Sequence, residues 1–193
     1  MSAIDELPAE MGVTRHRLTV ADFYRMGEVG LLAPEARVEL IEGGIVDMAP
    51  IGSRHASTVN RLARTMTLAI GNSALLSVQA PICLGDYSVP QPDLALLKPR
   101  SDHYADALPT AADTLLVIEV SHSSSTYDRQ VKTAIYARHG IAEVWIIDLD
   151  FSLARFYRRP EGERYLDITA TETPGPTPVA QLPGLSIDLS GVL

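Results

Sequence analysis

Two apolar runs with a helical segment between them dominate the hydrophobic pattern of the chain. Leu115 to Val120 is a short β-rich run with Glu119 near its end, Tyr127 to His139 has helical spacing, and Val144 to Ile147 is apolar and β-branched again. A strand, helix and strand in this order belong to a sheet covered by helices. A carboxylate at the end of a buried strand is costly unless a cation, a proton or a hydrogen-bond donor meets it. Glu119 is therefore the first residue that needs an explanation.

The same patterning gives the remaining elements. Thr19 followed by Asp22 predicts a helix start, and Val20, Phe23, Tyr24 and Met26 give that short helix one apolar side. Arg37 to Glu42 and Ile45 to Met48, joined through Gly43-Gly44, predict a β-hairpin. In such a strand Glu39 and Glu42 face opposite sides, so only one of them can point at a covered face. Ser53 to about Ile70 carries a helical stripe of Val59, Leu62, Ala63, Met66 and Ala69 or Ile70, stopped by Gly71-Asn72. Leu75 to Leu84 and Pro92 to Leu97 are expected strands, Lys98 to Asp113 a surface loop with a short helical turn, and Leu153 to Tyr157 with Arg164 to Ile168 a hairpin turned at Pro160-Glu161-Gly162. Thr171 to Pro178 is a connector, and Leu182 to Leu193 is expected to form a small terminal strand or turn packed on the domain. Residues 1–17 lack periodicity and are expected to form a loose arm before a single domain of residues 18–193.

Composition narrows the class. A chain of 193 residues that is 46 % apolar and 21 % charged has the makeup of an ordinary folded protein. Its formal net charge of −8 disfavours non-specific coating of nucleic acid, which needs many Lys and Arg, although a local basic patch remains compatible with it. Cys83 is the one cysteine, so neither an intrachain disulfide nor a cysteine-based zinc site can form. The acidic first residues do not resemble a secretory signal, and no apolar run approaches the roughly 20 residues that span a bilayer. A cytoplasmic protein without membrane attachment is expected.

Candidate chemistry centres on acids. Asp93 follows Pro92 at the head of one apolar strand and Glu119 ends another. Two carboxylates brought together there would repel unless a divalent cation lay between them. Mg²⁺ takes one or two carboxylates, keeps waters and accepts phosphate oxygens, which suits phosphodiester hydrolysis. Lys132, one turn beyond Asp128 on the following helix, is placed to swing an ammonium over the strand ends, with Val131 and Ile135 expected on the buried side. Gln79, on a strand expected to border that of Asp93, either touches the site or satisfies a buried neighbour. Each residue alone also fits ordinary structure. Asp93 can be a turn residue after proline, Glu119 a partner of Lys132 or Arg129, and Lys132 a solvated partner of Asp128. Arg54, Arg61 and Arg64 suit a solvated helix face, Tyr136 the edge of the core, and Trp145 the core itself.

The motifs PQPDLALL and VIEVSHSSSTYDRQVKTAIYARHGIAEVWIID resemble the Uma-two family of the PD-(D/E)XK nuclease-like superfamily. The likeness extends through LTVADFYRM, VELIEGGIVDMAPIGSRHASTVNRL, VQAPICLGDYSVPQPD and LPGLSIDL, nearly the whole chain. It implies an α/β (α+β) fold with a restriction-endonuclease-like mixed sheet flanked by helices, to which the N-terminal hairpin is added. It also implies DNA cleavage with Mg²⁺, or Mn²⁺ in its place. By position Asp93 and Glu119 match the two metal-binding acids, Glu39 the acid of the family's hairpin motif, and His55 the histidine that follows it. Ser121 stands where the superfamily pattern has lysine, and Lys132 in the next helix takes that place, as in the family. His122 stands where relatives often carry an acidic residue or proline.

The leading expectation is a Mg²⁺-dependent endonuclease acting on DNA, with Asp93, Glu119, Lys132 and Glu39 at its centre and His55 and Gln79 in support. A homodimer is compatible with cutting both strands. The competing expectation is a nuclease-like module that binds nucleic acid or protein without turnover, towards which the acidic charge and the lack of a DNA-reading motif lean. A metal-free hydrolase using Ser121 or Ser123 with His122 or His55 would be a third, but no nucleophile-elbow motif is present.

Overall fold

The two apolar runs form the middle of a six-stranded sheet. The computed structural model describes residues 15–122 and 128–193, the side chains of Asp128 and Arg129 excepted. Strand β5 (Thr114–Ser121) runs parallel to β6 (Glu143–Asp148), and every residue of both is buried. The sheet order is β3 (Leu75–Val78), β4 (Leu94–Leu97), β5, β6, β7 (Leu153–Glu161) and β8 (Arg164–Thr171), with antiparallel pairing outside the β5–β6 pair. The strands at the centre lack polar alternation because both faces of the sheet are covered.

Helix α2 (Ser53–Ile70) covers one face. Its buried stripe of Val59, Leu62, Met66 and Ile70 packs with Leu94, Leu96, Leu116, Ile118 and Trp145. Helix α3 (Thr133–Arg138) covers the other, setting Ile135, Tyr136 and Ala137 among Ala95, Val117, Val144 and Ile146. Because side chains alternate along β5, Leu116, Ile118 and Val120 share the face of α2, while Val117 and Glu119 share the face of α3. The expected mixed sheet flanked by helices is thus the observed fold.

The hairpin of β1 (Val38–Ile41) and β2 (Gly44–Asp47) lies outside this sheet. Its two loop residues, Glu42 and Gly43, both adopt positive φ (50° and 82°), the backbone of a two-residue turn that matches strand twist. Glycine is required at 43, since a Cβ there would come within 2.5 Å of the Arg17 side chain. Leu40 pairs with Val89, and the Gly43 N–H donates to the Tyr87 carbonyl at 2.7 Å, which docks the hairpin on the segment before β4. Glu39 is consequently buried and Glu42 exposed, the division expected from their spacing. Of the expected N-terminal arm, residues 1–14 lie outside the described residues, and Arg17 bonds through Nε to the Glu42 carbonyl at 2.9 Å.

Helix α1 (Val20–Glu28) starts on a capping box between Thr19 and Asp22, as predicted, and the two hydrogen bonds to its side chain hold the Asp22 carboxyl below its ordinary range. Its apolar side is the expected one, with Val20, Phe23 and Met26 half-buried and Tyr24 exposed, and none of its residues is fully buried. Two further boundaries differ. The strand expected over Leu75 to Leu84 stops at Val78, because Gln79 takes a left-handed φ of 47°. The β7–β8 turn falls at Gly162-Glu163, and Pro160 pairs with Tyr165 inside the ladder. A single 3₁₀ turn, Ala111–Asp113, supplies the short helix expected between β4 and β5. Among the described residues no helix is long and apolar enough to cross a membrane.

The C-terminal segment adds strands β9 (Pro176–Pro178) and β10 (Ser186–Asp188) and sends Val179, Ile187, Leu189 and Val192 into the α2-side core. Glu143, fully buried, anchors it: one oxygen accepts from Trp145 Nε1 at 2.8 Å and Arg158 Nε at 2.6 Å, the other from the Ala180 N–H at 2.7 Å. Removing this carboxylate strands three donors at once. Glu143→Ala should cost about 3 kcal/mol, the lower end for a broken buried pair because Arg158 keeps partial access to water. Urea denaturation followed by Trp145 fluorescence measures it, and a loss under about 1 kcal/mol would show that the anchor contributes little.

Candidate active site

Five segments separate in sequence deliver polar side chains to one cleft of about 390 Å³. Glu39 comes from the hairpin, His55 from the first turn of α2, Asp93 from the approach to β4, Glu119 from β5, and Lys132 from the turn that leads into α3. All five line the cleft. Gln79 reaches the site indirectly, through Asp93.

Asp93 sits where β4 and β5 part. The ladder between them begins at Leu94 and Ile118, and one residue earlier the Asp93 side chain replaces the strand as acceptor, taking the Val120 N–H on Oδ2 at 2.9 Å. The same oxygen pairs with His55 Nε2 at 3.0 Å, and Oδ1 accepts from Gln79 Nε2 at 3.3 Å. The left-handed backbone of Gln79 that ends β3 also turns its side chain back to Asp93, and its N–H donates to the Asp93 carbonyl at 2.9 Å. Three neighbours thus fix the carboxylate.

Lys132 makes the second group. Its ammonium donates to Glu39 at 3.0 Å and to Glu119 at 3.3 Å, and all three residues are buried. Glu119 Oε1 accepts in addition from the Tyr136 hydroxyl at 2.7 Å, and Glu39 Oε1 from the Gln91 N–H at 3.0 Å. The expectation that Lys132 shares a solvated face with Asp128, with Val131 buried, is overturned. Val131 is 36 % exposed and Lys132 only 7 %. The cause is local: Asp128–Lys132 is a π-helical turn, whose wider i→i+5 spacing shifts the face that an α-helix would present and turns Lys132 inward. The expected helix start at Tyr127 and the alternative partner side chains, Asp128 and Arg129, lie outside what the structure describes.

Two further residues take part beyond those expected at the site. Tyr136, expected at the edge of the core, is fully buried and hydrogen-bonds Glu119. Gln91 holds Glu39 through its N–H and the Gln79 carbonyl through its side chain, at 2.6 Å. A signal for Gln91 existed: prolines at 90 and 92 carry no N–H, so this residue supplies the one main-chain donor of the three. Ser121 takes no part. It is fully buried, lies outside the cleft lining, and its Oγ has no hydrogen-bond partner among the described residues. That removes the support for a serine nucleophile at 121, and Ser123 lies outside the described residues.

Among the described residues the cleft is lined by the carboxylates of Glu39, Asp47, Asp93 and Glu119 together with the basic side chains of Lys132, Arg37, His55 and His122. Among the described residues no group of three or more His, Cys, Asp or Glu side chains is placed to hold an ion by itself. Mg²⁺ does not require one, since it binds through one or two carboxylates and completes its shell with water and phosphate oxygens. Asp93 and Glu119, both hard oxygen donors lining the same cleft, fit that ion.

The sequence profile of the Uma2 family, described as "putative restriction endonuclease", matches residues 20–190. The fold is similar to the crystal structure of a "putative nuclease belonging to DUF820" from Anabaena variabilis, with a TM-score of 0.67 and 18 % identity over 89 % of this chain and 95 % of that one. No curated protein matches the chain. With the family's profile spanning all but the ends of the sequence, the protein belongs to the Uma2 family of restriction-endonuclease-like proteins.

Proposed function

We propose that the protein is a divalent-metal-dependent nuclease that hydrolyses DNA phosphodiester bonds in this cleft. The observation that carries the reading is the convergence of Asp93, Glu119, Lys132 and Glu39 from four separate segments on one cleft. Membership of the Uma2 family supports it. Asp93 and Glu119 would hold Mg²⁺, with Mn²⁺ able to replace it. Bound there, the ion supplies positive charge for the phosphate oxygens and makes hydroxide more available near neutral pH.

The chain's own groups do the rest. The hydrogen bonds from Gln79 and the Val120 N–H keep the Asp93 carboxylate aimed without any rearrangement on binding. Glu39 and Glu119 hold the Lys132 ammonium at the cleft wall, where it stabilises charge building on the scissile phosphate. Tyr136 donates to Glu119 from behind and fixes its rotamer. Cutting both strands of a duplex would take two such sites, and so two copies acting together. The burial of Lys132 between two acids favours the alternative of a silent binding module, because an ammonium so engaged has to reach the phosphate past its own partners.

Calorimetric titration of Mg²⁺ or Mn²⁺ into wild type and Asp93→Ala, followed by cleavage of plasmid and single-stranded DNA, separates the two. Wild type is expected to bind the ion and cut, and Asp93→Ala to lose both. Glu119→Gln and Lys132→Met should each slow cleavage by about 10²-fold or more. A wild type that binds no divalent ion even with DNA present would leave the binding module as the answer.

Stability offers an independent check on the Lys132 cluster. Lys132→Met leaves two buried carboxylates facing each other and should cost about 3–5 kcal/mol in urea denaturation. Adding Glu39→Gln should recover at least about 1 kcal/mol, a coupling that a double-mutant cycle reads directly. Strict additivity would mean that the three groups do not act as a unit.

A further inference from the structure

We infer that His122, oriented by Asp150, is a further catalytic residue of this site and donates the proton that the leaving oxygen takes up. This rests on the nuclease reading above. His122 follows β5 at the point where the chain leaves the sheet, three residues after Glu119, and is one of the residues that line the cleft. Its Nδ1 lies 2.5 Å from Asp150 Oδ1. Asp150 belongs to the turn between β6 and β7 and is not among the residues that line the cleft, and its bond to Nδ1 leaves Nε2 as the ring nitrogen that can meet a substrate.

The position follows from the fold. Parallel pairing sets the ends of β5 and β6 side by side, with Ser121 opposite Asp148, and the Leu149 N–H donates to the Ser121 carbonyl at 2.8 Å. The residues that follow each strand, His122 and Asp150, are thereby brought together over the same end of the sheet as Glu119. Both remain partly open to solvent, with side chains 49 % and 38 % exposed, so the pair adds little stability as an ion pair. What it does provide is one fixed ring orientation at the cleft wall, with a carboxylate on the far nitrogen, the arrangement by which an acid partner sets a histidine for proton transfer.

Among the described residues that line the cleft, the other basic side chains are engaged, Arg37 on the Ala49 carbonyl at 2.8 Å. Lys132 sits between Glu39 and Glu119, and His55 is held on Asp93. Hydrolysis forms a bond from the water oxygen to phosphorus and breaks the bond from phosphorus to a ribose oxygen. The ribose oxygen leaves with the electron pair of the broken bond and takes the proton from His122 Nε2. The attacking water loses its proton to solvent, from which the imidazole is recharged. No oxidant or further reactant is needed. Asp150 acts through the ring and is a positioning residue.

The experiment compares two substrates with different leaving groups, duplex DNA and bis(p-nitrophenyl) phosphate, using the full chain with Mn²⁺ or Mg²⁺. The aryl oxide departs without a proton, whereas the ribose oxygen needs one. His122→Gln should slow DNA cleavage by about 10²-fold, in line with the loss of a general acid, and should lose at least tenfold less on the aryl ester. Asp150→Asn should show the same bias with a smaller loss. Equal losses on both substrates, or no loss on DNA, would overturn the proposal while wild-type cleavage and its abolition by Asp93→Ala leave the nuclease reading standing. A wild type inactive on both substrates overturns the two together. Both positions are exposed, so unchanged thermal unfolding is expected and verifies that the variants fold.

Discussion

The buried ammonium of Lys132 is the interaction on which the arrangement depends. Removing a lysine from water costs several kcal/mol, repaid only where acceptors are fixed at good distance. Here the acceptors come from different parts of the chain: Glu39 from a hairpin outside the main sheet, and Glu119 from its central strand. Satisfying one cation therefore fixes the hairpin, the sheet and the start of α3 relative to each other. The supporting hydrogen bonds from Gln91 and Tyr136 serve the same end, since each carboxylate has capacity beyond the lysine. A hairpin held merely by its backbone contacts with the segment before β4 would have no reason to bring a glutamate to this point.

The parting of β4 and β5 creates the space that the cluster borders. While two strands remain paired, their backbone groups serve each other and no cleft can open between them. Asp93 ends the pairing by taking the Val120 N–H on its side chain, so the strands diverge without leaving a buried donor unsatisfied. The residue that opens the cleft is thus also its first acid. His55 and Gln79 then approach Asp93 from either side, one on α2 and the other at the end of β3. Their roles follow from geometry that the sheet imposes.

Much of this is written in local sequence. The N-terminal hairpin, the α2 stripe from Val59 to Ile70 and the apolar runs of β5 and β6 each follow from a period or a turn preference, and each appears in the structure, with the hairpin turning at Glu42-Gly43, one residue before the glycine pair. The gathering of Glu39, Asp93 and Glu119 was accessible through the motifs that carry them. Burial of Lys132 was not, because helical spacing places it beside Asp128 on a solvated face and nothing in the pattern announces a π turn. The failure of the expected strand past Val78 has the same character. Gln79 adopts a backbone that no propensity favours, held by its contacts with Asp93 and Gln91, which are tertiary. Local rules give way at the site itself, where side chains are positioned for one another more than for their own elements.

The overall charge bears on how such a site would meet DNA. A chain with a net charge of −8 gains little from long-range attraction to a polyanion, and the cleft is itself acidic. On the proposed reading, the attraction has to be local. Arg37 borders the cleft, within reach of a backbone entering there. The remaining positive charge would come with the metal, which cancels the excess of carboxylates only when they and the phosphate share it. Such a protein would engage DNA weakly without the ion and productively with it, because the acids that repel the phosphate in its absence are the same acids that hold the ion in place.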